Sequence, residues 1–174
     1  EVIEEVRFPN SIGILYQVFT QFLGMKPDND EWKVMGASPY GDPSKYYDKV
    51  RKIINYDSAC NELYDLDIRF NDYHLNRRRL FFNERFTTLF GPPIQGQQDF
   101  DERGYDLAAA IQKVTEEIIF SVCKKLFKKT GLKKLCFSGG VAMNCLANGK
   151  IIHNTDFDEV FLNDCPGDDG TSRG

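Results

Sequence analysis

Hydrophobic positions along this chain alternate between helical and strand spacing. Ile12, Leu15, Val18, Phe19 and Phe22 recur every three or four residues behind Asn10 or Ser11, either of which makes a fair N-cap, and Gly24 supplies a left-handed stop. The spacing predicts a helix over 11–23. A second helix starts at Ser44, after Pro43, and runs through Ile54 with Tyr47, Val50, Ile53 and Ile54 on one side. The strongest pattern begins at Arg103, where Leu107, Ala108, Ile111, Val114, Ile118, Val122 and Leu126 lead to a Thr130-Gly131 stop. At 1.5 Å per residue that helix is roughly 35–40 Å long, enough to cross a sheet.

Strand signals are shorter. Residues 64–70 alternate apolar and polar, the period of a strand with one wet face. Leu135-Cys136-Phe137 is a short apolar run and residues 158–163 read as another strand, each ending in a glycine turn. The first turn, Ser138-Gly139-Gly140, feeds a predicted helix from Val141, and the second, residues 164–170, is acidic. Strand, glycine turn and helix in that order suit an α/β layer architecture, with the two turns meeting at one sheet edge. Residues 32–43 hold two glycines and two prolines and are predicted as an irregular loop, either structural or ligand-facing through Lys33, Met35, Gly36 and Tyr40. Aromatic residues between 75 and 90 predict a short helix, and 91–96 a loop.

With 174 residues, 41% hydrophobic and 13% aromatic, the chain can bury one core. A net charge of −4 gives no broad attraction to nucleic acid or to an anionic membrane, and Arg77-Arg78-Arg79 is the basic run that stands out, read as a solvated face. The five cysteines show neither C-x-x-C pairs nor a disulfide framework, so a reducing, cytoplasmic setting is expected. No apolar run reaches the roughly 18 residues of a membrane span. The chain opens at Glu1 and closes just after a glycine turn, where more sheet is expected, so it reads as an excised piece.

Chemistry concentrates at the two glycine turns. Glycines without Cβ let a ligand approach the backbone, and helix N–H groups beyond them suit an anion. Gly149-Lys150 does not complete a P-loop, because the upstream glycines are too distant and Ile151 replaces the hydroxyl. A dinucleotide site lacks its third glycine. His74 and His153 stand apart from any metal spacing, and Cys136 and Cys145, without a neighbouring His, are expected to pack as small apolar groups. Asp168 and Asp169 are either cation-holding carboxylates or turn caps.

The strings SGGVAMNCLANGK, DLAAAIQKVTEE, DEVFLNDCPGDDGTS, FPNSIGILYQVFTQFLG and EWKVMGASPYGDP together resemble the O-carbamoyltransferase family of nodulation and antibiotic-tailoring enzymes, over roughly residues 8–55 and 88–172. The resemblance implies the C-terminal lobe of an actin-like ATPase (ribonuclease H-like) domain, a mixed sheet flanked by helices, related to the tRNA threonylcarbamoyl-transfer proteins. It implies that residues 1–174 are one fragment of the carbamoyltransferase N-terminal domain, without the YrdC-like domain that makes carbamoyl-adenylate from carbamoyl phosphate and ATP. The carbamoyl group then passes to a hydroxyl acceptor, a sugar or natural product. By the same likeness Gly139, Gly140 and Asn144 contact the nucleotide. Asp168, which fits the G-D-x-G pattern better than Asp169, is a ligand of a divalent metal, usually iron. The family's H-x-x-x-H pair is expected upstream of Glu1, and the fragment alone is expected to be inactive. Partners are small molecules, with no nucleic acid and no membrane. The rivals are a nucleotide-binding interaction module and a sugar kinase of the same superfamily.

Overall fold

The computed structural model describes residues 1–57, 60, 62–75, 80–96 and 100–173, with the side chains of Asp169, Thr171 and Arg173 outside the description. Arg77-Arg78-Arg79 therefore lies outside the described residues. The chain divides into two compact units, Glu1–Thr115 and Glu116 onward. No helix among the described residues is long and apolar enough to cross a membrane.

In the first unit, helix α1 (Ile12–Phe22) is capped by Ser11, whose Oγ accepts from Ile14 N–H, and buries Phe19 and Phe22 completely. These rings meet Phe86 and Phe90 of α4 (Glu84–Phe90) edge-to-face, with centroids 5.0 to 5.1 Å apart for Phe19–Phe86, Phe19–Phe90 and Phe22–Phe86. Each buried phenyl contributes about 1.5–3 kcal/mol by burial, and the edge-to-face pairs add to that. Helix α5 (Glu102–Thr130) brings Leu107, Ala108, Ile111 and Val114 into the first unit, all buried. The buried Tyr16 hydroxyl donates to Gln112 Oε1 at 2.9 Å.

Four expectations change here. Residues 31–40 are helical rather than irregular: α2 (Glu31–Ala37) runs into a 3₁₀ turn, Ser38–Tyr40. Pro39 sits in the first turn, where its missing N–H costs no bond, and Gly36 is an exposed helical position. The helix predicted from Ser44 through Ile54 ends as α3 (Ser44–Arg51), and Ile54 instead opens β1 (Ile54–Asn55). The strand predicted over 64–70 shrinks to β2 (Asp65–Leu66), paired antiparallel with β1. Asp67 ends it, because its carboxylate accepts from Arg69 N–H at 3.1 Å and starts a 3₁₀ turn, Ile68–Phe70. The helix within 75–90 starts only at Glu84, where Asn83 Oδ1 accepts from Arg85 and Phe86 N–H.

The second unit holds the rest of α5, β3 (Lys134–Phe137), α6 (Cys145–Asn148), α7 (Ile151–Asn154) and β4 (Glu159–Leu162). Strands β3 and β4 pair in parallel, Leu135 beside Val160 and Phe137 beside Leu162. Ala142, Ala147, Ile151 and Phe157 are buried, and Phe157 meets Phe127 of α5 at 5.6 Å. The opposite strand face carries the Lys134–Glu159 ion pair at 3.0 Å and Cys136 beside Phe161, a residue 65% exposed. Instead of one mixed sheet, the described residues form two separate strand pairs, one antiparallel and one parallel. The class is nevertheless mixed α/β.

Candidate functional site

Strand β3 ends at Phe137, and the chain turns at Gly139 with φ 100°, a conformation that L side chains rarely adopt. Gly139 N–H donates to the Pro166 carbonyl at 2.7 Å, and Ser138 Oγ–H reaches the same oxygen at 3.2 Å. These two bonds tie the glycine turn to the loop that follows β4, as the sequence predicts. Among the described residues no atom lies within 4 Å of a Cβ built at Gly139 or Gly140, so the turn presents open backbone to them. That opening stands beyond the carboxyl ends of two parallel strands, where ligands enter open α/β sheets.

The helix expected from Val141 is broken into three pieces. Gly140–Met143 is a 3₁₀ turn, and Asn144 then caps α6 by accepting from Ala147 N–H at 3.0 Å. Helices α6 and α7 have four residues each, too short for a useful macrodipole, so anion binding would rest on the turn itself rather than on a helix end. Asn148, which the sequence reading does not single out, donates from Nδ2 to Ala142 O at 2.7 Å, and its Oδ1 is buried without a hydrogen-bond partner. Its position one helical turn after Asn144 was the available signal.

Asp168 is exposed and opens a 3₁₀ turn, Asp168–Arg173. The loop before it is tight: Gly170 N–H donates to Gly167 O at 3.0 Å, and a Cβ at Gly170 would stand 2.2 Å from Cys165 O. Among the described residues no group of three or more His, Cys, Asp or Glu side chains is arranged to hold a metal, so the described donors do not complete a metal site around Asp168.

Cys136 and Cys145 are exposed rather than packed, which corrects the expectation for both. Burial pushes the Cys123 thiol up to about 11. Iodoacetamide at neutral pH is therefore expected to alkylate Cys136 and Cys145 well before Cys123, as read by peptide mass spectrometry, and equal rates would contradict the placement of β3 and α6.

The other predicted group lies in the first unit. Lys33 Nζ is 2.9 Å from Asp30 and 5.6 Å from the Trp32 ring centroid. The hydrogen bond from Lys33 is the main reason that the Asp30 carboxyl is held below its ordinary range. Met35 O accepts from Ser38 Oγ–H, Gly36 faces open space, and Tyr40 is 79% exposed with its ring 5.9 Å from that of Tyr105. Trp32, 63% exposed on the same helix, is an aromatic the prediction omits. The glycine of the SPYGDP run has a packing role. A Cβ on Gly41 would fall 2.0 Å from Tyr105 O and 2.5 Å from Asp106 N, the backbone of α5. The next N–H, of Asp42, donates to the buried Asp106 carboxylate at 2.7 Å, and Lys45 bridges Asp106 and Glu102 at 2.8 and 2.7 Å. These partners, Asp106 first, raise the Lys45 pKa and keep its ammonium charged throughout the ordinary pH range.

Fold and site together define a mixed α/β protein whose candidate site is an open glycine turn joined to an acidic loop at the ends of two parallel strands. The chain belongs to the carbamoyltransferase N-terminus family, whose model matches residues 1–174. It is 34% identical over 171 residues to an uncharacterized protein of Synechocystis sp., covering 98% of this chain and 27% of that protein. It is 31% identical over 178 residues to the nodulation protein NolO of Bradyrhizobium diazoefficiens (97% and 28%), and 31% identical over 167 residues to the nodulation protein NolNO of Sinorhizobium fredii (95% and 22%). The chain thus spans about a quarter of the length of these relatives, and its lineage is that of transferases.

Proposed function

We propose that this chain is the acceptor-side portion of an O-carbamoyltransferase, a lobe of actin-like fold that passes a carbamoyl group from carbamoyl-adenylate to a hydroxyl of a sugar or natural product. Family membership over the whole chain supports the transferase reading. The observation that carries the site is the Gly139 N–H bond to Pro166 O, which holds the open turn beside the acidic loop.

In this reading Gly139 and Gly140 admit the nucleotide's phosphate against bare backbone, and Asn144 contacts it from the start of α6. The acceptor hydroxyl oxygen attacks the carbamoyl carbon and its proton passes to solvent, the carbon–oxygen bond to the adenylate phosphate breaks, and AMP leaves. The leaving group is already good, so the protein's main contribution is placement of the two reactants. A divalent metal, iron by the family resemblance, would polarise the carbonyl when bound. Asp168 would supply one ligand to it, with the other donors coming from outside the described residues. The setting is cytoplasmic, and the substrates are ATP, carbamoyl phosphate and the acceptor.

The test uses the full-length protein with ATP, carbamoyl phosphate and a panel of hydroxyl acceptors, followed by mass spectrometry. A carbamoyl ester plus AMP is the expected result. A phosphorylated acceptor would make the protein a sugar kinase, and bound ATP without any product an interaction module. Asp168→Asn, which keeps size but removes the charge a hard cation needs, is expected to lower metal content by plasma emission and transfer along with it, whereas Asp169→Asn is milder. Equal metal in the folded parent and both variants would leave Asp168 as a turn cap only.

A further inference from the structure

The geometry points to Glu116 and Lys150 as a positioning pair for the glycine turn, an inference that rests on the nucleotide reading of that turn. Lys150 Nζ donates to both carboxylate oxygens of Glu116, at 2.8 and 2.7 Å. The Glu116 side chain is only 11% exposed, while that of Lys150 is 50% exposed. A carboxylate withdrawn from water is costly unless its partner is well placed, so this pair fixes where the end of the segment sits.

A short relay of hydrogen bonds runs from that anchor to the turn. Lys150 N–H donates to Ala147 O at 2.9 Å, and Ala147 N–H donates to Asn144 Oδ1 at 3.0 Å. Asn144 N–H donates to Val141 O at 3.0 Å, inside the 3₁₀ turn that begins at Gly140. A parallel route passes from Asn148 Nδ2 to Ala142 O at 2.7 Å, and from Ala142 N–H to Gly139 O at 2.9 Å. Ala142, Ala147 and Ile151 are buried, leaving this segment little room to slide. Glu116 stands on the 29-residue helix α5, so one end of the relay is attached to a rigid element. Neither residue is proposed to touch the ligand: both act through the backbone of Gly139 and Gly140.

Glu116→Gln keeps the shape of the side chain and removes its charge. In the full-length protein it is expected to weaken ATP binding about fivefold by titration calorimetry, with Lys150→Met weakening it similarly. Lys150→Arg, which preserves a two-pronged charged contact, is expected to bind like the parent. The KM for ATP should rise while kcat changes little. A purely structural pair would lower the melting temperature and leave the ATP affinity of the folded protein unchanged, and that result would overturn the inference. Amide hydrogen exchange at Gly139 and Gly140 is read alongside without nucleotide, and faster exchange in Glu116→Gln is expected. Unchanged exchange removes the positioning role. A parent protein that shows no ATP binding, yet accelerated exchange in the variant, removes the nucleotide reading and keeps the pair.

Discussion

Gly41→Ala is expected to lower the stability of the protein by at least ~3 kcal/mol, a severe loss for the addition of one methyl group. The added carbon would stand 2.0 Å from Tyr105 O and 2.2 Å from Tyr105 C. Both atoms belong to the backbone of α5, which cannot rotate away as a side-chain tip does. Relief requires residues 38–42 to lift off the helix, and that breaks the 2.7 Å bond from Asp42 N–H to Asp106 Oδ1. Asp106 is 5% exposed and also receives Lys45, so its carboxylate would be left with fewer partners in a dry place. Gly36→Ala is the control. It lies in α2 with no described atom within 4 Å of its built Cβ, and replacing a helical glycine is worth about 0.5–1 kcal/mol in the opposite direction. Urea denaturation of both variants at matched m-values checks the contrast, and similar midpoints would contradict the close contact at Gly41.

Gly140→Val is expected to reduce ATP affinity in the full-length protein at least tenfold, about 1.4 kcal/mol, without a matching loss of stability. Among the described residues nothing lies within 4 Å of the built Cβ, and the backbone there is not left-handed, so valine is accommodated in place. Its branched methyls then occupy the space into which the proposed phosphate comes. Gly139 is the poorer probe, because φ 100° strains any L side chain whether or not a ligand binds. Calorimetric titration with ATP on a variant shown folded by circular dichroism decides the matter. An unchanged dissociation constant would remove Gly140 from the site.

The long-range parts of the fold were legible where apolar periodicity and breakers agreed. Helix α1 ends within a residue of the predicted bounds, α5 starts and stops as its pattern indicates, and β3 and β4 both form. Two of the failures share a physical cause, side chains bonding to nearby backbone. Asp67 diverts a strand-like run into a 3₁₀ turn, and Asn144 restarts a helix that apolar spacing alone would have drawn as continuous. Pro39, a breaker by composition, does not interrupt the helical segment, since the first turn has no bond for it to spoil. At the site, glycine placement indicated the open turn and its meeting with the acidic loop. The periodicity of the chain could not reveal that Gly41 serves packing or that Lys150 reaches back to Glu116, because both contacts join residues far apart in sequence.

The Tyr16–Gln112 hydrogen bond has a consequence for synthesis as well as for stability. Its partners are 96 residues apart, so at about 5–20 residues per second α1 precedes its companion from the ribosome by roughly 5–19 s. During that interval the nascent chain carries the apolar positions of α1, a segment too short to hold a helix by itself, with nothing from α5 to set them against. Phe19 and Phe22 wait for much of that time before Phe86 and Phe90 appear. α1 is thus the segment on which a holding chaperone would act, and translation paused ahead of residue 112 would leave it exposed the longest.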